Sequence, residues 1–403
     1  MKAFSWFLLA PILSFFWISM SRGAGIVFPN DSSVLNLKTS FGAYGDGVHN
    51  DTVALQNGLD ASGGISGPSK ILFIPNGVYL VTNTIVDHTI GPWVYGESRD
   101  GVIIRMADGI TNYVTNCTSV LRTHPSDTTP GSSDYFMRNF HNFTVDVGQN
   151  PGLDGIRWFG NNTSILKDIH VVGNGVGNVG INSGFIGLSG PNIIQDTVVE
   201  GFNTGISSQW LWGETISRVT ISNCLAQGIY VVANSAAIEN LTVANTPVAL
   251  NVDNYPPYNG WNGVVALVGG TFTGGSSGWP AITNTGTLYA RNVTTSGFKQ
   301  ALISSTPGGS VTGTNIVEYT IPPASQSSYT ATPEPTRSCC RSSRSQSSPE
   351  KRTWPNGSAP TTTGRPTEPG RTKPPPFRPR SMRSPPPGQP PFTCGAPTAT
   401  GTP

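Results

Sequence analysis

The composition of this 403-residue chain excludes several classes of protein. Charged residues are only 11% of it, and 48 glycines and 34 prolines argue against a helical protein. The net charge of +2 is small for this length, and lysine and arginine cluster near the C-terminus, so no nucleic-acid partner is indicated. Five cysteines without a C-x-x-C pair do not fit a zinc site, although Cys117 and Cys224 could form one disulfide in an oxidising compartment.

The first 25 residues have the layout of a secretory signal peptide. Lys2 precedes an apolar run from Ala3 to Met20, and small residues follow at Gly23–Gly25. The run approaches the length of a membrane span, so an uncleaved anchor is the alternative, but Pro11 interrupts it. We expect residues 1–25 to be removed, leaving a secreted, extracellular or periplasmic protein that does not associate with a membrane.

The stretch FGAYGDGVHNDTVALQNGLDA, Phe41–Ala61, predicts a glycine-rich turn followed by a short helix. It is not a phosphate-binding P-loop, because no lysine follows Gly47. Its glycines permit backbone angles that other residues avoid, and Asn50 or Asp51 can cap the helix. We expect this helix to precede the first strands, in KILFIPNGVYLV, and to cover the open end of the fold that follows.

A six-residue pattern returns between Phe140 and Thr295: apolar, any, Asn or Asp, apolar, any, β-branched. It reads FHNFTV from Phe140, LKDIHV from Leu166, IQDTVV from Ile194, ISRVTI from Ile216, IENLTV from Ile238 and ARNVTT from Ala290. A second series runs beside it: GIRW at Gly155, GINS at Gly180, GISS at Gly205, GIYV at Gly228, ALNV at Ala249 and AITN at Ala281. Two series with one period of roughly 20 to 30 residues predict a solenoid.

Each repeat contains short alternating strands rich in Ile, Val and Thr, separated by Gly, Asn and Ser turns. The repeats lack a helical segment, which excludes helical solenoids, and they lack the leucine and asparagine consensus of leucine-rich repeats. Propeller blades would be longer. We therefore predict an all-β fold, a right-handed parallel β-helix over residues 34–320 with an N-terminal capping helix.

The opening stretch, followed by ILFIPNGVYLV, resembles the N-terminal signature of the pectate-lyase-like β-helix superfamily. That superfamily includes rhamnogalacturonase-like and epimerase-like proteins and relatives of glycoside hydrolase family 28. Together with the repeats, the resemblance covers about Val34 to Glu318. It implies a polysaccharide partner, since members mostly bind, cleave or modify acidic or neutral polysaccharides, but it does not choose a reaction.

The catalytic motifs of glycoside hydrolase family 28 are missing from the chain. None of N-T-D, D-D, G-H-G and R-I-K occurs, so ordinary hydrolysis of that family is not expected. Calcium-assisted lyase chemistry needs clustered carboxylates and a basic proton acceptor, and the sequence shows no tight cluster of acids. We predict no metal and no cofactor; calcium is the alternative only if the protein is a lyase.

The turns of the repeats offer aromatic and charged residues as candidates for a site. Sugar rings stack on flat apolar rings, and an arginine can clamp a substrate carboxylate. The substrate-binding candidates are Arg157, Trp158, Trp210 and Trp212. A glycosidase adds two carboxyl groups, and the catalytic candidates are Asp154, Glu200 and Glu214. The alternative is structural: solenoid turns often carry exposed polar residues, and the tryptophans could cover a coil.

The C-terminal region has a different composition. From about Pro333 it is rich in Pro, Arg, Ser and Thr, which predicts a disordered tail over residues 321–403. A shifted reading frame supports another interpretation. When the last base of each codon is read together with the first two bases of the next codon, the permitted residues accommodate a second copy of the opening signature, its helix and a strand. We interpret the tail as an out-of-frame second β-helix domain. Such a tandem resembles the plan of glycoside hydrolase family 55 β-1,3-glucanases, from which no catalytic residue can be carried over.

These observations predict an exported, monomeric, carbohydrate-active protein. We expect it to act on a pectin-like polysaccharide or a β-glucan as a hydrolase or lyase, with chemistry that needs the lost second domain. The alternative is a non-catalytic solenoid for carbohydrate binding or adhesion, which the missing catalytic motifs favour.

Overall fold

A computed structural model describes residues 25–64, 69–110, 117–128, 135–186, 189–210, 212–254, 262–305 and 309–320. All of them belong to the first of two units of the chain, Met1–Pro333 and Glu334–Pro403. The predicted signal peptide, apart from Gly25, and the predicted tail over residues 321–403 lie outside the described residues. Neither helix of the described ranges is long and apolar enough to cross a membrane.

Strands make up most of the described chain, and two short helices lie near its N-terminus. The helices are α1 (Leu37–Phe41) and α2 (Thr52–Ser62). The strands of the first half are β1 (Val34–Asn36), β2 (Asp46–Asn50), β3 (Ile71–Ile74), β4 (Gly77–Val81), β5 (Ile85–Val86), β6 (Trp93–Gly96), β7 (Val102–Met106), β8 (Ser119–Arg122), β9 (Asn139–Asp146), β10 (Asp154–Arg157) and β11 (Ser164–Asn182). The second half adds β12 (Asn192–Gln195), β13 (Val198–Gln209), β14 (Glu214–Ser217), β15 (Thr220–Ser222), β16 (Gln227–Val232), β17 (Ser235–Ala244), β18 (Val248–Asp253), β19 (Val264–Thr273), β20 (Ile282–Asn284), β21 (Thr287–Thr295), β22 (Leu302–Ser304) and β23 (Asn315–Thr320).

The strands form a solenoid with three parallel sheets. Sheet I begins with β1, β3 and β6 and continues to the first half of β21. Sheet II begins with β2, β4 and β7 and uses the later parts of the long strands. Sheet III contains β5, β8, β10, the ends of β11 and β13, then β16, β18, β20 and β22. The predicted parallel β-helix is confirmed, and β23 closes the series by pairing antiparallel to β21.

The Asn or Asp of the six-residue repeat lies at the corner between sheets I and II. Its backbone is left-handed at every repeat, with φ between 51° and 59° at the positions Asn142, Asp168, Asp196, Arg218, Asn240 and Asn292. Asn and Asp tolerate this conformation better than most residues, which explains their recurrence. Gly269 (φ 77°) occupies the same corner in β19, so the double-length gap in the sequence pattern contains a coil whose corner is a glycine.

The Gly-Ile series forms the entry to sheet III, where the coil is narrow. A Cβ atom on Gly155 would lie 2.3 Å from Val171 Cγ1, and one on Gly180 would lie 2.3 Å from Val199 Cγ1. The following Ile or Leu is fully buried in the core between the sheets. The series therefore results from packing: the small residue leaves space for the side chain and backbone of the neighbouring coil, and the large residue after it fills the interior.

The predicted capping helix exists, but its position differs from the prediction. Helix α2 lies between β2 and β3, so β1 and β2 precede it and already pair with the second coil. Asp51 does not cap α2 with its side chain; its carboxylate accepts hydrogen bonds from the amides of Tyr44 and Gly45 at 2.7 and 2.9 Å. The carboxylate holds the glycine loop in place, a long-range role that the local pattern does not reveal.

The two cysteines of the described coils do not form the disulfide that the sequence allowed. Cys117 and Cys224 are buried as free thiols. Burial raises the pKa of both, to about 11 for Cys224, so both are protonated near neutral pH. They fill interior positions of the solenoid as small apolar residues.

Candidate functional site

One row of side chains on the outer surface of sheet III is polar over seven consecutive coils. In-register pairing aligns these residues, which we call the polar file: Arg122, Arg157, Asn182, Ser207, Tyr230, Asn251 and Thr283. The residue before each is a buried Leu or Ile, and side chains alternate along a strand, so the file faces away from the core. Six of its residues are partly exposed, whereas Ser207 is only 3% exposed and its hydroxyl accepts from Gln209 Nε2 at 2.6 Å. With adjacent strands about 4.8 Å apart, it extends roughly 29 Å.

The C-terminal part of the polar file is neutral and linked between coils. Thr283 Oγ1 donates to Asn251 Oδ1 at 2.7 Å, and Asn251 Nδ2 donates to Gln227 Oε1 at 3.1 Å. The Tyr230 hydroxyl donates to Asp253 Oδ2 at 3.4 Å. Burial, together with this carboxylate, raises the pKa of Tyr230 to about 12, so the phenol stays neutral. This part of the file presents donors, acceptors and one aromatic ring.

The N-terminal end of the polar file is a cluster of two arginines and two aspartates. Arg157 donates from Nη1 to Asp127 Oδ1 at 2.8 Å and from Nε to Asp154 Oδ2 at 2.9 Å. Arg122 Nη1 donates to the other Asp127 oxygen, which also accepts from Thr118 Oγ1 at 2.8 Å. The positive charges are thus matched within the protein. Arg157, predicted to clamp a substrate carboxylate, clamps two of the chain's own.

Asp154 is fully buried beneath this cluster. Besides Arg157 it accepts from Asn178 Nδ2 at 2.9 Å, from the Val179 amide at 3.2 Å and from Asn182 Nδ2 at 3.0 Å. Two of these partners, Arg157 and Asn182, belong to the polar file. Asp154 therefore orients the file from below instead of presenting its carboxylate to a ligand.

Glu214 lies in the interior and not on the outer surface of sheet III. Its oxygens accept from Ser183 Oγ at 2.8 Å and from Ser208 Oγ at 2.5 Å, and only 3% of the residue is exposed. Burial raises the pKa of Glu214, and the hydrogen bonds from Ser208 and Ser183 oppose that rise in part. Glu214 is a buried carboxyl group that binds its proton more tightly than an exposed glutamate does.

Glu200 lies on sheet II, away from the polar file. It pairs with His170 Nε2 at 3.0 Å, and 38% of its side chain is exposed. The three predicted catalytic carboxylates are therefore not brought together: one lies under the file, one in the core and one on another sheet. No pair among them flanks a common cleft as a glycosidase would require.

The three predicted tryptophans have different surroundings. Trp158 is fully buried, with its ring edge-on to Phe140 at 5.8 Å and its Nε1 donating to Asn192 Oδ1 at 3.1 Å. The prediction that Trp158 stacks on a sugar is wrong for this reason; it packs the core. Trp210 is half-buried at the end of sheet III, and Trp212, two residues on, is 72% exposed. Trp210 and Trp212 stay substrate-binding candidates.

Sequence reasoning missed most of the polar file, although a signal was present. The file occupies the third position of the Gly-Ile series: the residues are Arg157, Asn182, Ser207, Tyr230, Asn251 and Thr283. All six are polar, which distinguishes this position from the apolar residue before it. Asp127 had no comparable signal, because it lies in a loop that the repeat does not include.

The arrangement suits binding better than glycosidic bond cleavage. Cleavage uses two carboxyl groups on either side of one bond. Beside the polar file, Asp127 and Asp253 are partly exposed but separated by several coils, whereas Asp154 and Glu214 are buried. Within the described ranges no three His, Cys, Asp or Glu side chains group closely enough to hold a metal ion. The file itself offers a line of hydrogen-bonding groups with aromatic rings at its edge.

The chain matches a family model and one curated protein. The family model is described as rhamnogalacturonase A/epimerase, pectate lyase-like, and matches residues 34–251. The non-secreted LysM effector LysM15 of Penicillium expansum is 25% identical over an alignment of 256 residues that covers 55% of this chain and 18% of that protein. The chain thus spans under a fifth of the length of that curated relative.

Several solved structures are similar to this chain at low sequence identity. Tailspike protein 2 of the Escherichia coli O157:H7 bacteriophage CAB120 is 11% identical, with a TM-score of 0.46, over 69% of this chain and 42% of that one. An iota-carrageenase complexed to iota-carrageenan fragments is 16% identical, with a TM-score of 0.37, over 70% and 59%. The A-module of Azotobacter vinelandii mannuronan C-5 epimerase AlgE4 is 15% identical, with a TM-score of 0.32, over 68% and 89%.

Proposed function

Because this chain belongs to the rhamnogalacturonase A/epimerase, pectate lyase-like family, we propose that it is an exported, carbohydrate-active protein that binds a polysaccharide along the polar file. The single observation that carries this proposal is the polar file itself, a polar residue at the same position of seven consecutive coils, six of them partly exposed. Export is supported by the layout of residues 1–25.

The geometry of the file fits an extended, polyhydroxylated chain. Its side chains supply hydrogen-bond donors and acceptors over roughly 29 Å at the strand spacing. Hydroxyl groups of a glycan can exchange water for such partners, each worth about 0.5 to 1.5 kcal/mol. Phe185, near Arg157, and Tyr230 add ring faces, and Trp212 adds an exposed ring beyond sheet III.

A hydrolase or lyase activity is the second candidate function. One observation favours it: Asp127, partly exposed, and Asp154 bind the same guanidinium group, so a carboxylate lies beside the proposed polysaccharide path. The burial of Asp154 and Glu214 favours binding without cleavage by these residues alone. If the shifted frame encodes a second β-helix domain, that domain would supply the missing catalytic groups. This would account both for the carboxylate beside the polysaccharide path and for the burial of Asp154 and Glu214.

The proposal is tested by measuring polysaccharide binding of the full chain and its variants. Affinity electrophoresis against neutral glucans and pectins measures binding, and reducing-end release with absorbance of unsaturated sugars measures cleavage. Asn251→Ala and Tyr230→Ala remove groups from the polar file, and Thr242→Ala with Thr271→Ala are matched controls on the outer surface of sheet II. A loss of about 1.4 kcal/mol corresponds to a tenfold weaker affinity.

We expect each file variant to weaken binding by about three- to tenfold, the range of one lost hydrogen bond or ring contact, and the sheet II variants to leave it unchanged. Equal losses in both sets would place binding away from the polar file. Failure of the unsubstituted chain to bind any polysaccharide in the panel would reject the proposed function.

A further inference from the structure

The coils and the C-terminal region of this chain carry opposite charges. Residues 25–320 contain 11 Lys or Arg and 19 Asp or Glu, a net charge of −8 with neutral His. Residues 321–403 contain 11 Lys or Arg and 3 Asp or Glu, a net charge of +8. The value of +2 for the whole chain therefore hides an acidic solenoid.

The arginines of the solenoid are neutralised by its own aspartates. Six of the seven between residues 25 and 320 form ion pairs with Asp side chains: Arg99, Arg105, Arg122, Arg138, Arg157 and Arg218. The internal segments outside the described ranges contain no lysine or arginine, so they add no positive charge.

The same balance holds along the polar file. Its two positive charges, Arg122 and Arg157, face two negative charges, Asp127 and Asp154. Asp253, beside Tyr230, leaves a net charge of −1 at this surface. A polyuronate carries one carboxylate on each sugar, so it would have to displace Asp127 from both arginines to gain a cationic partner here. The free energy lost when a well-formed guanidinium-carboxylate pair is broken offsets most of the free energy gained from the new contact with the polyuronate.

Resting on the proposed function, we infer that the polysaccharide held by the polar file is uncharged and that polyuronates are excluded from it. The acidic solenoid repels a polyanion over distances of about 10 Å at 0.1 M salt and further in dilute salt, and the paired arginines offer it no free cation within the described file. Neutral hydroxyl groups meet no such repulsion, and the partly exposed Asn, Tyr and Thr side chains of the file are suited to them.

Competition is the measurement that separates the two ligands. Residues 321–403 carry a net charge of +8, so direct binding of a polyuronate to the full chain would also report on that region. The full chain is therefore given a neutral glucan oligosaccharide from the binding panel, labelled with a fluorophore, and oligogalacturonate is added as competitor. The displacement is followed by fluorescence anisotropy at 20 mM and 200 mM salt.

Oligogalacturonate is expected to displace the neutral oligosaccharide at least tenfold less effectively than unlabelled neutral oligosaccharide does, and most weakly at low salt. Displacement by oligogalacturonate at equal or lower concentration would overturn the inference while leaving polysaccharide binding established. Binding of oligogalacturonate without any binding of neutral sugars would also overturn it. Binding of neither ligand would reject the proposed function, and the inference with it.

Asp127→Asn tests the physical cause. It removes the carboxylate that pairs with both Arg122 and Arg157 and leaves Arg157 bound to Asp154 alone, so oligogalacturonate should compete at least fivefold better at low salt and lose that gain at high salt. Asp196→Asn is the matched control, because it makes the same charge change beside Arg218 at a left-handed corner that Asn tolerates. This cause would be contradicted if oligogalacturonate competed equally better against both variants. It would also be contradicted if competition against Asp127→Asn did not improve while the melting temperature of that variant stayed unchanged.

Discussion

Glu214 illustrates, at the scale of single residues, how burial changes a candidate catalytic group. Its carboxyl group is bound by two serine hydroxyls and is nearly inaccessible, and burial raises its pKa. The folded protein therefore holds the proton more tightly than the unfolded chain does. The stability that this provides is fully present below the unfolded pKa and is lost as pH rises through the folded pKa.

Glu214→Gln is expected to remove this pH dependence. Relative to the variant, the unsubstituted protein should lose unfolding free energy as pH rises from the unfolded pKa through the folded pKa, about 1.4 kcal/mol for each unit by which the folded pKa exceeds the unfolded one. Urea denaturation at several pH values gives the difference. Glu239→Gln, at an exposed glutamate of sheet I, is the control and should show no such trend. A constant difference between Glu214→Gln and the unsubstituted protein would contradict the prediction.

At the scale of the secondary-structure element, two repeated positions carry the solenoid. The first is the left-handed corner between sheets I and II, and the second is the small residue that enters sheet III. Each repeat of either position stacks on the same position of the next coil. A substitution at one of these positions in a single coil therefore tests the backbone or packing constraint that acts at the same position in the other coils.

Asn240→Val should destabilise the protein by about 1 to 2 kcal/mol, because a β-branched residue is strained at φ 52°. Asn240→Gly adopts this conformation freely and should cost less, roughly 0.5 kcal/mol. Asn240 is exposed, and both variants remove its Asn-Leu-Thr sequon, so their difference isolates the backbone. Chemical denaturation measures both values. Equal losses would mean that the corner conformation does not explain the repeat.

Gly180→Ala should destabilise the protein by about 1 to 3 kcal/mol, the usual cost of overpacking. Its new Cβ would lie 2.3 Å from Val199 Cγ1 and 2.6 Å from the Gly205 carbonyl oxygen. Gly313→Ala is the matched control, since no heavy atom lies within 4 Å of its added Cβ. Thermal and urea unfolding compare them. If the two variants were equally stable, the coil entry would be less tightly packed than these distances indicate.

At the scale of the whole molecule, the charge asymmetry and the composition change both separate residues 25–320 from the C-terminal region. The solenoid stacks coil on coil from β1 to β22, and β23 ends the described strands at Thr320. The tail that follows is outside the described residues, so its interpretation as a shifted reading frame stays a prediction.

The nucleotide sequence across codons 320 to 403 and beyond, from genomic DNA and its transcript, tests that interpretation. We expect correction of one position to bring a second glycine-rich signature, helix and strand into frame. The functional protein would then be a tandem of two β-helices. Confirmation of the written frame, without a shifted continuation, would instead establish a proline-rich stalk.

Much of the fold could be predicted from the sequence, because its signals are local and periodic. The Asn or Asp of the six-residue repeat indicates a left-handed backbone at the corner between sheets I and II. The Gly of the Gly-Ile series indicates a position where a larger side chain would clash with the neighbouring coil. Both recur through most of the coils after Phe140, so their spacing predicts the solenoid. The same series also marked the polar file, in the residue after each buried Ile or Leu.

Only the tertiary structure decided which candidate residues share a surface. Asp154, Glu200 and Glu214 look alike in sequence, yet they lie under the polar file, on sheet II and in the core. Trp158 and Trp212 also look alike, but one is buried and the other exposed. Burial and charge pairing depend on residues from other coils and from loops such as that of Asp127, which local periodicity does not encode. The sequence by itself determined the coil, and the stacking of coils determined the site.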